Sequence, residues 1–284
     1  MSCALASVLV ALGAANCATI PPGPGGAPLP ELPVYAGADG TPSTWAETFA
    51  VAQAADVIIL GERHDDALAH RAQAAWLDAF LAQTPGDGAL ALEMLTRDLQ
   101  PIVDQWHTGK LDTAAFVRQA EVGDWAGPDT WMRFYQPLLD IARRYDAPVV
   151  AANAPREYVR LARTDGFDAL RALPAAERAR FTLPGPVDET HYRKRFMAAI
   201  GAHPTDGGGG LSPEQQTAFF RAQQVWDATL ADSAWTAART HGAAVLAVGQ
   251  FHSDYAGGLV QRLRARGAIV CTITFVSDAA GWRA

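Results

Sequence analysis

The sequence predicts an α/β fold: a mostly parallel sheet flanked by helices, with an inserted helical cap subdomain. The first observation is a set of short apolar runs of strand length, namely Asp56-Val-Ile-Ile-Leu60, Ala89-Leu-Ala-Leu-Glu-Met94, Ala147-Pro-Val-Val-Ala-Ala152, Val245-Leu-Ala-Val248 and Ile269 to Val276. They are too short for helices and read as buried strands. The second observation is that segments of helical spacing separate them. Strands that alternate with helices imply a parallel sheet covered on both faces.

Taken in order, Thr44-Trp-Ala-Glu47 has capping-box spacing and opens a helix to about Ala54. Helical apolar spacing runs from about Asp66 to Ala82, after the first strand. A helical region rich in Trp and Asp covers Leu99 to Tyr145. After the third strand, Asn153-Ala-Pro-Arg-Glu157 starts a helix with Asn153 as cap and Pro155 in the first turn. From Arg160 to His203 short helices are broken by Pro184, Pro186 and Gly201, and Thr205-Asp-Gly-Gly-Gly-Gly210 is a flexible break. Ser212-Pro-Glu-Gln215 caps a long helix to about Thr240, and Leu259 to Arg266 forms the last helix. The helical stretches at about 97–145 and 155–242 thus read as insertions in one domain spanning 41–284. No repeat of solenoid type is present.

Composition permits a folded core: of 284 residues, 49% are hydrophobic and 19% charged. The net charge is −7 and no basic run occurs. A nucleic-acid surface needs clustered Lys and Arg to meet phosphates, so that partner class is disfavoured. A local basic patch for carboxylates remains open. Cys3, Cys17 and Cys271 form no CxxC pair and imply no disulfide framework. Cys271 lies in an apolar run and reads as a small buried hydrophobe.

The apolar run Ala4 to Ala15 is shorter than the ~20 residues that span a bilayer, and has the length of a signal-peptide core. Cys17 is placed like the lipid-accepting Cys of a bacterial lipoprotein, although Asn16 stands where a small residue is usual. Residues 1–17 are therefore expected to be a leader with a lipoprotein signal. Residues 18–40, rich in Pro and Gly, form a tether. The expected location is outside the cytoplasm, periplasmic or anchored to the outer membrane through Cys17, with the membrane touched only by that lipid.

Two strands end in the same pattern: Gly61-Glu62-Arg63-His64 and Gly249-Gln250-Phe251-His252. A third ends near Glu93. Ligands of open parallel sheets bind outside the carboxyl ends of the strands. Three strand ends thus offer His64, His252, Glu62 and Glu93 to one region. Glycine at a strand end permits a sharp turn and close approach of a ligand. Buried acids and imidazoles cost desolvation energy unless paired or ligated. Read alone, Glu93 is a buried acid with Arg63 or Arg97 as partner. On the long helix, Gln223, Trp226 and Asp227 share a side with Phe219 or Phe220 and Leu230. Trp226 is expected in the core. Gln223 and Asp227 either orient His252 or His64 by hydrogen bonds or lie on the helix surface.

These motifs carry a resemblance. Gly61-Glu62-x-His64-Asp65, Leu92-Glu93-Met94 and Gly249-x-x-His252 resemble the signature of the ChaN-like haem-binding proteins, of the superfamily that includes TIKI proteases and erythromycin esterases. Trp131-Met-Arg-Phe-Tyr135-Gln-Pro-Leu-Leu139 looks like that family's aromatic helix. Val149-Val-Ala-Ala-Asn153-Ala-Pro155 looks like its Asn-x-Pro strand end. Gln223-Gln224-Val-Trp226-Asp227 looks like its Gln-x-x-Trp-Asp segment. Together they cover about Val57 to Leu263.

The resemblance implies one of two functions. In the first, the protein is an exported lipoprotein that binds haem for haem or iron uptake without turnover. Its partners would be haem, a second copy of itself and envelope haem-transport components. A Tyr is then the implied iron ligand, and Tyr135, Tyr158, Tyr192 and Tyr255 are the candidates. Tyr135 lies beside Trp131 and Phe134, and either packs in the core or helps to stack on a porphyrin. Tyr192, Arg193 and Arg195 lie in one segment whose cations either face solvent or meet propionates. His64, His252 and Gln223 complete the expected haem site. In the second, His64, His252 and Glu93 hold a divalent transition metal, and Glu62 or Glu93 acts as general base of a hydrolase. No Gly-x-Ser-x-Gly or His-Glu-x-x-His motif is present. Nor does Cys-x-x-Cys-His occur, so covalent c-type haem is not expected.

Overall fold

Alternation along the central strands decides which helical layer each side chain meets. In the computed structural model, which describes residues 6–11, 32–201 and 211–276, the sheet holds eight strands. They are β1 (Ala6–Ala11), β2 (Val34–Ala36), β3 (Pro42–Ser43), β4 (Val57–Glu62), β5 (Ala89–Thr96), β6 (Val149–Asn153), β7 (Ala244–Gly249) and β8 (Val270–Val276). Their order is β3-β2-β1-β8-β4-β7-β5-β6. The central five, β8-β4-β7-β5-β6, are all parallel, and the β1–β2 and β2–β3 pairs are antiparallel. The α/β expectation therefore holds. The sequence reading did not anticipate β1, which falls in the residues expected to be a leader, or the short β2 and β3, of which β2 falls in the expected tether. The expected lipid-accepting Cys17 lies outside the described residues, as does the flexible break at Thr205 to Gly210.

Ten helices are described: α1 (Trp45–Gln53), α2 (Ala67–Gln83), α3 (Gln100–His107), α4 (Thr113–Ala120), α5 (Gln136–Arg144), α6 (Arg156–Arg171), α7 (Ala175–Arg178), α8 (Thr190–Gly201), α9 (Pro213–His241) and α10 (Gly258–Ala265). Ile58, Leu60, Leu90, Leu92, Val245, Ala247 and Ile273 point to one face, where Trp76, Phe80, Trp106 and Leu138 cover them. Their neighbours Val57, Ile59, Ala89, Ala91, Leu246 and Val248 point to the other, against Leu230 and Ala234 of α9 and Leu259 and Leu263 of α10. The period of two in side-chain direction produces both cores from strands that are apolar on both sides.

The capping residues read from sequence do what their chemistry allows. Thr44 and Ser212 each form the reciprocal box, with Glu47 and Gln215 respectively. Asp66 accepts from the backbone N–H groups of Leu68 and Ala69 and so opens α2. One expectation is corrected. Asn153 does not cap α6; it closes β6, while Pro155 occupies the cap position and the helix begins at Arg156. The Asn153 amide is used in tertiary structure instead, donating to the Glu93 carbonyl at 2.9 Å. Inside α6, Gly166 adopts φ 82° and kinks the chain, a conformation that L side chains rarely take.

At the edge of the sheet, Gln100 covers β6. Its Nε2 donates to the Val149 carbonyl at 2.9 Å and its Oε1 accepts from the Ala151 N–H at 2.7 Å. One carboxamide thus stands in for a neighbouring strand where the backbone would otherwise be open to pairing.

Candidate functional site

Strand order assembles the site. The chain passes from β4 through α2 to β5 and leaves a place between them, which β7 fills. Glu62 at the end of β4 then stands in register with Gly249 at the end of β7. Leu92 of β5 stands in register with Ala247, so Glu93 flanks the same strand end from the other side. Both Gly-x-x-His motifs and Glu93 are brought together as the sequence predicted.

They form two polar groups. In the first, Glu62 is buried and accepts from the Tyr135 hydroxyl at 3.0 Å; His64 Nδ1 lies 3.0 Å from the same oxygen. His70, absent from the sequence reading, places Nδ1 3.5 Å from the second Glu62 oxygen and stacks on Phe134. Burial, reinforced by the Glu62 charge, pushes the Tyr135 phenol well above its ordinary value. His64 is half-buried and meets the edge of Trp125 with ring centroids 4.9 Å apart. Burial works against its charged form, but the bond to Glu62 and the Glu93 charge outweigh it, so its pKa is raised.

In the second group, His252 is clamped. Its Nδ1 lies 2.6 Å from Asp227 Oδ1 and its Nε2 3.5 Å from Glu93 Oε1. Burial disfavours an imidazolium here, but the Asp227 and Glu93 carboxylates prevail and push its pKa up to about 10. Desolvation alone would raise the Glu93 pKa; the His252 charge and the Gly249 N–H, which donates at 2.6 Å, bring it below the usual value. Gln223 Nε2 lies 3.1 Å from His252 Nδ1 and donates to the Tyr192 hydroxyl at 2.8 Å. Asp227 therefore orients His252, one of the two roles open to it in the sequence, while Gln223 is buried beside the ring and holds the Tyr192 hydroxyl. Arg63 and Arg97 do not pair with Glu93: Arg63 meets Asp65, and Arg97 meets Asp232 at 2.8 Å.

The two groups meet at Gly249. A Cβ added there would lie 2.9 Å from His64 Nε2 and 3.5 Å from Glu93 Oε2. The strand-end glycine is therefore a close-approach position that keeps the His64 ring beside the second group.

A cleft of about 590 Å³ opens over the second group. His252, Glu93 and Gln223 lie at its floor, and Trp125, Phe196, Phe219 and Trp226 contribute its aromatic walls. Trp226, expected in the core, is only half-buried: one part packs against the Tyr158–Phe181 cluster and the rest lines the cleft. Arg156, Arg160 and Arg163 of α6 line it as well. The sequence reading missed them, although their spacing of four and three places them on one helix face. The Arg193 and Arg195 it favoured are engaged elsewhere. Arg193 donates to the Thr217 hydroxyl at 3.0 Å, and Arg195 to the Asp254 carbonyl at 2.6 Å while stacking over Tyr255 at 4.2 Å.

The four tyrosines separate by exposure. Tyr135, Tyr158 and Tyr192 are buried, and Tyr255 is 56% exposed. As for a divalent metal, among the described residues no group of three or more His, Cys, Asp or Glu is placed to hold one. The set His64, His252 and Glu93, although gathered at the strand ends, is not such a group. Glu62, enclosed by Tyr135, His64 and His70, is turned away from the cleft.

A family model described as haem-binding uptake, Tiki superfamily, ChaN matches residues 48–263. The chain belongs to this family. The structure also superposes on a solved ChaN of Campylobacter jejuni, described as binding haem cofacially, with a TM-score of 0.64 and 17% identity. The match covers 86% of this chain and 89% of that one, and at such identity it is a likeness of fold. No curated protein matches the sequence. Among the described residues no helix is long and apolar enough to cross a membrane.

Proposed function

We propose that this chain binds haem at the strand-end cleft and serves haem or iron uptake without catalytic turnover. The observation that carries this reading is the cleft itself, whose aromatic walls end on imidazole. Its volume, about 590 Å³, suits a small-molecule site. Trp125, Phe196, Phe219 and Trp226 offer flat apolar surface to a macrocycle. When bound, haem would supply a ferric iron that takes donors from the protein. His64 fits that need: its Nδ1 is held by Glu62, its ring packs on the cleft residue Trp125, and its Nε2 has no hydrogen-bond partner among the described residues. Tyr255 is the phenol open to a ligand at the surface, where a second copy can approach, and a homodimer belongs to this reading.

The same reading places the protein outside the cytoplasm, in the periplasm or at the outer membrane. Residues 1–17 would direct export and Cys17 would carry the lipid. Envelope components that deliver or accept haem would be its partners. Titration of the protein with ferric haem, followed by absorbance and by mass in solution, tests the reading. A saturable Soret shift at a defined ratio is expected, with the mass doubling if haem joins two copies. Absence of a saturable shift would overturn it.

A further inference from the structure

Among the described residues, three guanidinium groups of the cleft have no acidic partner. Arg156, Arg160 and Arg163 stand on one face of α6 and line the same wall. By helix geometry, their Cα atoms are spaced about 6 Å and about 4.5 Å along the axis. Among the described residues, none of the three has a carboxylate within ion-pair distance, whereas neighbouring cations do: Arg97 has Asp232, Arg262 has Glu189 and Arg266 has Asp232. Arg156 and Arg160 are exposed; Arg163 is half-buried, with its guanidinium 5.0 Å over the Phe219 ring. The acid at the cleft floor, Glu93, is already matched by His252 and the Gly249 N–H. In a chain of net charge −7, this wall is a local concentration of uncompensated positive charge.

We infer that the arginine face of α6 is a carboxylate-recognition wall, which selects ligands with two carboxylates on one edge and takes the propionates of haem. This rests on the haem reading and deepens it, since it fixes which edge of the macrocycle turns to α6 and which ligands are refused. Guanidinium presents paired N–H donors that match a carboxylate, and such charge-assisted bonds are shorter and stronger than neutral ones. The aromatic walls would accept a macrocycle with or without free acids; the arginines distinguish the two.

The test compares ferric haem with its dimethyl ester, in which both propionates are capped, on the full chain and on the double variant Arg156→Gln/Arg160→Gln. Both positions are exposed, so the fold is expected to survive, and circular dichroism checks it. The wild type is expected to bind haem at least tenfold more tightly than the ester. The variant is expected to lose about tenfold for haem while its ester affinity is unchanged, and its haem affinity should depend less on salt. Equal haem affinity in wild type and variant would overturn the arginine wall and leave the haem reading standing. If neither compound binds the wild type, both readings fail.

Discussion

Asp227 Oδ1 lies 2.6 Å from His252 Nδ1, deep beneath the cleft, with Asp227 fully buried and His252 7% exposed. The pair fixes the imidazole from behind, so that its Nε2 faces Glu93. A carboxylate buried in this way holds both the orientation and the charge of its partner.

Stability should therefore depend on pH through His252. Its pKa is about 10 in the fold against an ordinary value of 6.5. A pKa raised by folding contributes stability that is complete below pH 6.5 and is lost as pH rises toward 10. Asp227→Asn is expected to cost about 3–5 kcal/mol near pH 6, as for removal of one member of a buried ion pair. It should also shrink the loss between pH 6 and pH 9. Urea unfolding at both values measures this, and an identical pH dependence in both proteins would show that His252 is not charged in the fold. Glu93 gives the opposite limb: its pKa is lowered, so its contribution is present above about pH 4.5 and disappears as acid protonates it.

Haem spectra separate the iron donors. His64→Ala is expected to shift the Soret band of the ferric complex, because it removes, beside the cleft residue Trp125, an imidazole nitrogen with no hydrogen-bond partner among the described residues. Tyr135→Phe is expected to leave the spectrum unchanged, since that phenol is buried and donates to Glu62. It should still lower stability by about 1–3 kcal/mol, because a buried carboxylate oxygen loses a donor. A changed spectrum in Tyr255→Phe with none in His64→Ala would move the iron from the cleft to the surface.

Gly249→Ala should injure binding through contact alone. The added methyl would come 2.9 Å from His64 Nε2, closer than packing permits, and the ring must shift. The expected result is a haem affinity reduced about tenfold or more, alongside a stability loss of about 1–3 kcal/mol. Isothermal titration and chemical denaturation read the two effects separately. Undiminished affinity would show that the position of the His64 ring does not matter to the ligand.

Gln100→Ala is expected to uncover the β6 edge. Two backbone groups, the Val149 carbonyl and the Ala151 N–H, would lose their partner. Sedimentation should then show association that rises with concentration and is weaker in the wild type. A variant that stays as monodisperse as the wild type would mean that other features guard this edge.

Some of the fold and site was legible because it is written in local chemistry. The Thr44 and Ser212 boxes, the five parallel strands and the long α9 each follow from a few adjacent residues. The Gly-x-x-His motifs were legible because glycine and histidine at a strand end leave few other roles. Asn153 was misread because a helix cap and an inter-strand amide bond make the same local pattern, and the tertiary partner, the Glu93 carbonyl, decides between them. His70 was overlooked because a histidine on an amphipathic helix carries no distinguishing mark. The signal for Arg156, Arg160 and Arg163 was present in their helical spacing, but which face of α6 meets the cleft is not a local property.

By itself, the sequence determined the five central strands, the main helices, the parallel sheet with its two covered faces and the residues that gather at the strand ends. Periodicity and capping act over a few residues, so one chain suffices to read them. Only the tertiary structure decided that β7 enters between β4 and β5, that Glu93 pairs with His252 rather than with Arg63 or Arg97, and that Tyr135 is turned inward to Glu62. Those outcomes depend on which distant groups share a desolvated volume, where a buried charge takes the partner that packing places within reach.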